Sequence, residues 1–253
     1  MKKIIDFTVK ENQHLNADTF VLVLHSPELP EIKAGQFVNV KVEGSTSTFL
    51  RRPISVHNVN AENGLLYLLI KVAGNGTAKL SSLKAGDKLN VVVPLGNHFT
   101  QLSSGRCLLV GGGVGIAPLL HLSKDLKAKG LEPVVLIGTR SRKDIVLREE
   151  YERYATVYYT TEDGSYGEKG YPTQHSVLKE HFDRIYCCGP LPMMKAVARY
   201  AYTEKIDCEV SLENTMACGF GACLCCVNDT KEGHKCVCTD GPIFNINDLK
   251  WQI

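Results

Sequence analysis

The sequence predicts a chain of three parts: an antiparallel β-barrel, a parallel-sheet α/β domain and a small cysteine-rich domain. Three observations predict it. Short β-rich segments separated by turn residues fill the first hundred residues. Strands then alternate with helical segments from about residue 105. Six of the ten cysteines crowd between Cys218 and Cys238. A length of 253 residues accommodates two ordinary domains and a small appendix, which we bound at 1–102, 103–210 and 211–253.

In the first part, segments 19–25, 35–42, 65–72 and 88–93 are rich in Val, Leu, Ile and Phe and are flanked by Gly, Pro, Asn or Asp. That pattern reads as strands of an antiparallel barrel or sandwich, with one short helix over 77–83. In the second part, strand 106–110 runs into Gly111-Gly112-Gly113-Val114-Gly115, and 119–129 has helical apolar spacing that stops at Gly130. Segments 134–138, 156–160, 184–188 and 208–212 read as further strands, with a helix over 192–205. Such alternation implies a parallel sheet covered on both faces. The last forty residues lack apolar periodicity and are expected to fold around an inorganic centre.

Composition narrows the function. Hydrophobic residues at 44% and charged residues at 22% are those of a globular chain, so disorder is not expected. A net charge of +2 without a basic stripe argues against nucleic acid. Lys2-Lys3-Ile4-Ile5 imitates the start of a signal peptide, but Asp6 and Lys10 interrupt the apolar run. No stretch approaches the roughly 18 apolar residues of a membrane span. The expectation is a cytoplasmic protein without membrane contact. A disulfide framework is out of place there, which leaves the crowded cysteines for a metal or cluster.

Cys218, Cys223 and Cys226 give C-x4-C-x2-C with a cysteine further on, the plant-type [2Fe–2S] spacing. Gly219 and Gly221 allow the tight curvature that turns amide N–H groups toward sulfur. Cys225 competes with Cys226, and Cys236 with Cys238; spacing prefers Cys226 and leaves the fourth ligand open. A structural zinc site is the alternative. Zinc sites often use two C-x2-C knuckles, and only one clean one is present.

Gly111, Gly112, Gly113 and Gly115 lie between a strand and a helix, where small residues let the backbone approach a pyrophosphate. The run is not G-x-G-x-x-G, and no acidic partner for a ribose is evident at the end of the next strand. That strand leads instead into Arg140, Arg142 and Lys143, so NAD and NADP both stay open. Cys188, Gly189 and Pro190 end a later strand of the same sheet, where open α/β sheets place ligands. In the β-rich part, an arginine of the Arg51-Arg52 pair suits a phosphate and the hydroxyl of Ser55 a flavin edge, and Gly74-Asn75-Gly76-Thr77 is a turn that becomes a phosphate cradle where the helix starts at Thr77.

Taken in order, R-P-I-S, G-x-G-T, G-G-G-V-G-I-A-P and C-G-P resemble the ferredoxin reductase superfamily, in which an FAD-binding barrel precedes a nucleotide-binding domain. The runs S-L-E-N-T-M-A-C-G from Ser211 and C-T-D-G-P-I-F from Cys238 resemble the electron-transfer subunits of NAD-dependent dihydroorotate dehydrogenase B, and the likeness covers essentially the whole chain. It implies FAD held by Arg52, Pro53, Ile54, Ser55, Leu69, Ile70, Lys71, Gly76 and Thr77. It implies a [2Fe–2S] cluster on Cys218, Cys223, Cys226 and Cys238, and NAD as the nucleotide. It also implies a catalytic FMN-containing dihydroorotate dehydrogenase subunit as partner, with two of each chain, in pyrimidine (UMP) biosynthesis. A hydride carries two electrons and a cluster passes one; a flavin handles both and belongs between them. No catalytic acid or base is expected in this chain. Two competing readings are a reductase-like small subunit of another complex (a ferredoxin:NADP oxidoreductase or a sulfide dehydrogenase) and a zinc-stabilised module without redox function.

Overall fold

The computed structural model describes residues 2–252. Seven strands build the first sheet: β1 (Lys3–His14), β2 (Thr19–His25), β3 (Phe37–Val40), β4 (Arg52–Ser55), β5 (Asn58–Asn60), β6 (Leu65–Lys71) and β7 (Lys88–Leu95). All pairings are antiparallel, in the order β4-β3-β7-β1-β2-β6-β5. The two edge strands are consecutive in the chain, and the link between them closes the sheet. Val56 N–H donates to Gln36 O at 3.0 Å on one side, and His57 N–H to Tyr67 O at 2.9 Å on the other. Phe7, Phe20, Leu22, Val40, Leu68 and Val91 fill the enclosed core.

β1 is the longest strand and was not evident in the sequence. Its Lys and Asp residues mask a period of two in which Ile5, Phe7 and Val9 are buried while Ile4 and Asp6 face outward. Helix α1 (Asn75–Ser81) lies between β6 and β7.

The second sheet is parallel through β8 (Cys107–Gly112), β9 (Val134–Thr139), β10 (Thr156–Thr161), β11 (Glu168–Lys169), β12 (Arg184–Cys188) and β13 (Asp207–Ser211), ordered β11-β10-β9-β8-β12-β13. Helices α2 (Ala117–Ala128), α3 (Arg148–Glu152) and α4 (Leu191–Glu204) connect its strands. Alternation along β8 sends Leu108 and Val110 to the face packed by Met194, Val197 and Ala198 of α4. Cys107 and Leu109 go to the face packed by Leu119, Leu122 and Leu126 of α2. The sheet is therefore covered on both sides, as expected. The chain builds outward from β8 in one direction and from β12 in the other. The crevice between their carboxyl ends is a topological switch point, where such sheets bind ligands.

The cysteine-rich segment forms a hairpin, β14 (Val227–Thr230) with β15 (Gly233–Cys236). It then adds β16 (Ile243–Asn245) antiparallel to β13, with Phe244 opposite Val210. Asn97, just after the barrel, ties this segment down. Its Nδ2 donates to Asp240 O and Ile243 O, each at 2.8 Å, and its Oδ1 accepts from Ile243 N–H at 2.9 Å. No helix among the described residues is long and apolar enough to cross a membrane.

The barrel and the parallel sheet meet at His57, which is buried. Its Nδ1–H donates to Ala117 O at the start of α2, at 2.9 Å. Burial pushes this imidazole down to about 4, the Ala117 carbonyl opposes that, and His121 and Lys124 add to it. The unfolded chain therefore binds the proton more readily between the two values. The stabilisation is complete above about pH 6.5 and is lost as pH falls toward 4, by about 2 kcal/mol between pH 7 and pH 5. Urea unfolding at those two pH values is expected to show this loss, and His57→Gln to reduce it. Equal losses in the two proteins would remove His57 from the account.

Candidate functional site

Two adjoining cavities occupy the seam between the parts. The first, about 320 Å³, is walled on the barrel side by Pro53, Ile54 and Ser55 of β4 and by Leu69, Ile70 and Lys71 of β6. Its other wall carries Ser211, Leu212, Glu213, Asn214, Met216 and Val237. Six of the nine residues expected around a flavin thus share one cavity. The other three, Arg52, Gly76 and Thr77, form a group beside it. A Cβ on Gly76 would meet Arg52 Cδ at 3.0 Å. Thr77 Oγ1 accepts from Ala73 N–H at 2.8 Å, and Ala73 lines the cavity.

The two consecutive arginines are sorted by their partners. Arg51 is committed to the barrel, where Nη1 donates to Asn90 O at 3.0 Å and to Asn39 O at 3.3 Å. Among the described residues, Arg52 donates only through Nε, to Arg51 O at 3.0 Å. Its two terminal nitrogens are thereby left for an anion.

The second cavity, about 990 Å³, lies at the switch point. Gly112, Gly113, Gly115, Gly189 and Pro190 line it as expected. Gly111 and Cys188 stand behind it instead. A Cβ on Gly111 would meet Ile116 Cγ2 at 2.7 Å, so this glycine lets the segment leading into α2 pack onto β8. The Cys188 thiol is buried; desolvation and the nearby Glu213 push it up to about 12, against a hydrogen bond from Ser211. It remains a neutral thiol at physiological pH. The two sequence motifs pack directly on each other: a Cβ on Gly115 would meet Cys188 O and Gly189 Cα at 2.5 Å.

Two lining residues, Asp144 and Glu162, carried no sequence signal. Thr139, Arg140, Asp144 and Glu162 line the second cavity, and Lys71, Val114, Leu212 and Glu213 line both. An acidic side chain, Glu162, lines this cavity from just beyond β10, the strand after β9 in the chain. Asp144 is occupied in its own turn, accepting from Ser141 N–H and Oγ at 3.1 Å.

The crowded cysteines follow. Gly219 and Gly221 take left-handed φ values of +80° and +91°. The turn carries amide groups back onto sulfur, and Phe220 N–H donates to Cys218 Sγ at 3.5 Å. Burial raises the Cys218 thiol, but the amides of Phe220, Cys223 and Ala222 outweigh it and hold the group down to about 6. Cys238 N–H donates to Cys226 Sγ at 3.4 Å. Burial and the Cys226 thiol push Cys238 up to about 12. Cys218 thus neighbours Cys223, and Cys226 neighbours both Cys238 and Cys236. Among the described residues, no three Cys, His, Asp or Glu side chains converge as a single metal ion requires. Thiols gathered around Cys218 and around Cys226, with amides directed at sulfur, fit a two-iron cluster, in which each iron takes two thiolates. Cys225 is exposed. Cys236 is held by its backbone, its N–H donating to Asp240 Oδ2 at 2.7 Å.

Three family models match the chain in order: an oxidoreductase FAD-binding domain over residues 6–100, an oxidoreductase NAD-binding domain over 109–199, and the iron–sulfur cluster binding domain of dihydroorotate dehydrogenase B over 213–250. FAD, NAD and an iron–sulfur cluster are accordingly its cofactors, and it is an oxidoreductase subunit. The chain is 35% identical to the dihydroorotate dehydrogenase B (NAD(+)) electron transfer subunit of Fusobacterium nucleatum, over 98% of this chain and 99% of that one. It is 43% identical to the subunit of the same name from Caldanaerobacter subterraneus, over 83% and 84%. A chain in the solved NADH-dependent reduced ferredoxin-NADP oxidoreductase is 33% identical, with a TM-score of 0.89, over 97% of this chain and 90% of that one. With its barrel, its parallel sheet and its crowded cysteines matched from end to end, this chain belongs to the family of dihydroorotate dehydrogenase B electron transfer subunits.

Proposed function

We propose that this chain takes electrons from an FMN-containing catalytic subunit that oxidises dihydroorotate, and delivers them through a [2Fe–2S] cluster and FAD to NAD+. The setting is pyrimidine (UMP) biosynthesis in the cytoplasm, in an assembly with two of each chain. The observation that carries this reading is the order of the sites. Lys71, Val114, Leu212 and Glu213 form a wall common to both cavities. Met216 and Val237, from the cysteine-bearing segment, line the first. Nucleotide cavity, flavin cavity and cysteine loop thus adjoin in series.

In this reading Arg52, Pro53, Ile54, Ser55, Leu69, Ile70, Lys71, Gly76 and Thr77 hold FAD. Gly112, Gly113, Gly115, Gly189 and Pro190 hold NAD, with Gly111 and Cys188 shaping the site from behind. Cys218, Cys223, Cys226 and Cys238 hold the cluster. When bound, the flavin supplies the conversion between two-electron and one-electron transfer, and the cluster a one-electron relay. The chain's own residues bind and exclude. Arg52 offers its guanidinium to a phosphate. Leu69, Ile70 and Pro53 keep water from the first cavity, and the amide of Phe220 stabilises the Cys218 thiolate.

The test is anaerobic isolation with whatever co-purifies, followed by iron and flavin assays and by NAD+ reduction with dihydroorotate. An FMN-containing partner and dihydroorotate-dependent NADH formation are expected. The likeness to the ferredoxin-NADP oxidoreductase chain favours one other reading. A large partner carrying [4Fe–4S] clusters, with no response to dihydroorotate, would establish that reading and overturn ours. Stoichiometric zinc in a colourless protein would overturn both.

A further inference from the structure

Asn39 lies in the middle of β3 with 0% exposure, and neither its Nδ2 nor its Oδ1 has a hydrogen-bond partner among the described residues. Leaving buried polar groups unpaired costs about 1–3 kcal/mol for each. An apolar residue would avoid that cost. The direction of the side chain shows what the amide faces. Along β3, Val38 and Val40 enter the barrel core. Phe37 and Asn39 therefore turn to the opposite face. Phe37 belongs there to the same buried cluster as Cys226, Cys236, Val237 and Cys238. Asn39 Nδ2 sits where a Cβ on Gly219 would meet it at 2.7 Å, and Gly219 is the residue after Cys218. On the neighbouring strand, Asn39 is in register with Pro53, which lines the first cavity. The unpaired amide thus stands between that cavity and the cysteine loop.

We propose that Asn39 is a positioning residue for the cluster: its Nδ2–H, unpaired beside Gly219, donates to a sulfur of the bound cluster and raises the reduction potential of the cluster. The proposal rests on the ligand set given under Proposed function. Reduction adds one negative charge to the cluster, and a hydrogen bond to sulfur stabilises the more negative form. Phe220 N–H acts on Cys218 from within the loop. Asn39 acts from the barrel, so the domain that receives the electron also adjusts how readily the cluster releases it.

The test uses the full chain with its cofactors. Asn39→Leu keeps the branching and the number of side-chain heavy atoms and removes both polar atoms. Iron and FAD contents are expected to equal those of the wild type. The one-electron reduction constant of the cluster, from EPR-monitored titration, is expected to fall about tenfold, a midpoint about 59 mV more negative. The FAD midpoint is expected to stay in place. An unmoved cluster midpoint at full iron content would overturn the role of Asn39 and leave the ligand set standing. Should the variant fail to fold or to retain iron, pulsed EPR of reduced wild-type protein labelled with 15N-asparagine decides. A weak nitrogen coupling supports the proposal, and its absence overturns it. Wild-type protein without iron overturns the ligand set and the proposal together.

Discussion

Cys238→Ser is expected to strip the cluster, and Cys236→Ser to leave it in place, although the two residues are separated only by Val237. Both thiols are buried, so exposure does not distinguish them. Their surroundings do. Both thiols neighbour that of Cys226, but only Cys238 of the two directs its amide at Cys226 Sγ. Cys236 is tied into the turn that follows, with its N–H on Asp240 and its carbonyl accepting from the amides of Thr239 and Asp240. Upstream, exposure does separate the competing pair, for Cys226 is buried and Cys225 exposed. Iron in Cys238→Ser or Cys226→Ser should drop from about two atoms per chain to a small remainder. Dihydroorotate-driven NAD+ reduction should fall by about 100-fold or more, ~2.7 kcal/mol. NADH:ferricyanide activity, which needs only the flavin and nucleotide sites, should persist. Loss of iron from Cys236→Ser with retention in Cys238→Ser would reverse the assignment.

Gly115→Ala is expected to damage the nucleotide site selectively. The added Cβ meets backbone, Cys188 O and Gly189 Cα at 2.5 Å, and backbone at a strand end has no rotamer with which to yield. The carboxyl ends of β8 and β12 must separate, and the second cavity opens between them. Overpacking of this kind costs about 1–3 kcal/mol of stability. We expect kcat/KM for NADH to fall at least about tenfold, ~1.4 kcal/mol, with the FAD spectrum unchanged. Gly113→Ala serves as the comparison. Gly113 has open space around its Cβ position, but its φ of +54° disfavours a side chain. Its cost is therefore about 1–2 kcal/mol of backbone strain without the steric wedge. Equal loss of NADH turnover in the two variants would point to the turn conformation rather than to the contact between the strand ends.

Much of this fold was legible locally. β2 and β12 span the expected residues because each is a short apolar run bounded by polar or turn residues. β1 was not legible, because Lys3 and Asp6 dilute a pattern that only its pairing with β2 and β7 makes plain. β16 is three residues long and acquires its identity from β13. The cysteine loop was legible as a candidate ligand set because Cys218, Cys223 and Cys226 are close in sequence and its glycines are required by the curvature, whereas the choice between Cys236 and Cys238 came from the resemblance alone.

By itself, the sequence determined the three-part order, the glycine turn and the C-x4-C-x2-C loop, since each is encoded by residues within a few positions of one another. Only the tertiary structure decided that Lys71, Val114, Leu212 and Glu213 form one wall between two cavities, that Gly111 and Cys188 support a site rather than line it, and that Asn39 faces Gly219. Those relations join residues far apart in the chain. They are set by strand register and by the packing of barrel against sheet, neither of which leaves a periodic mark on the sequence.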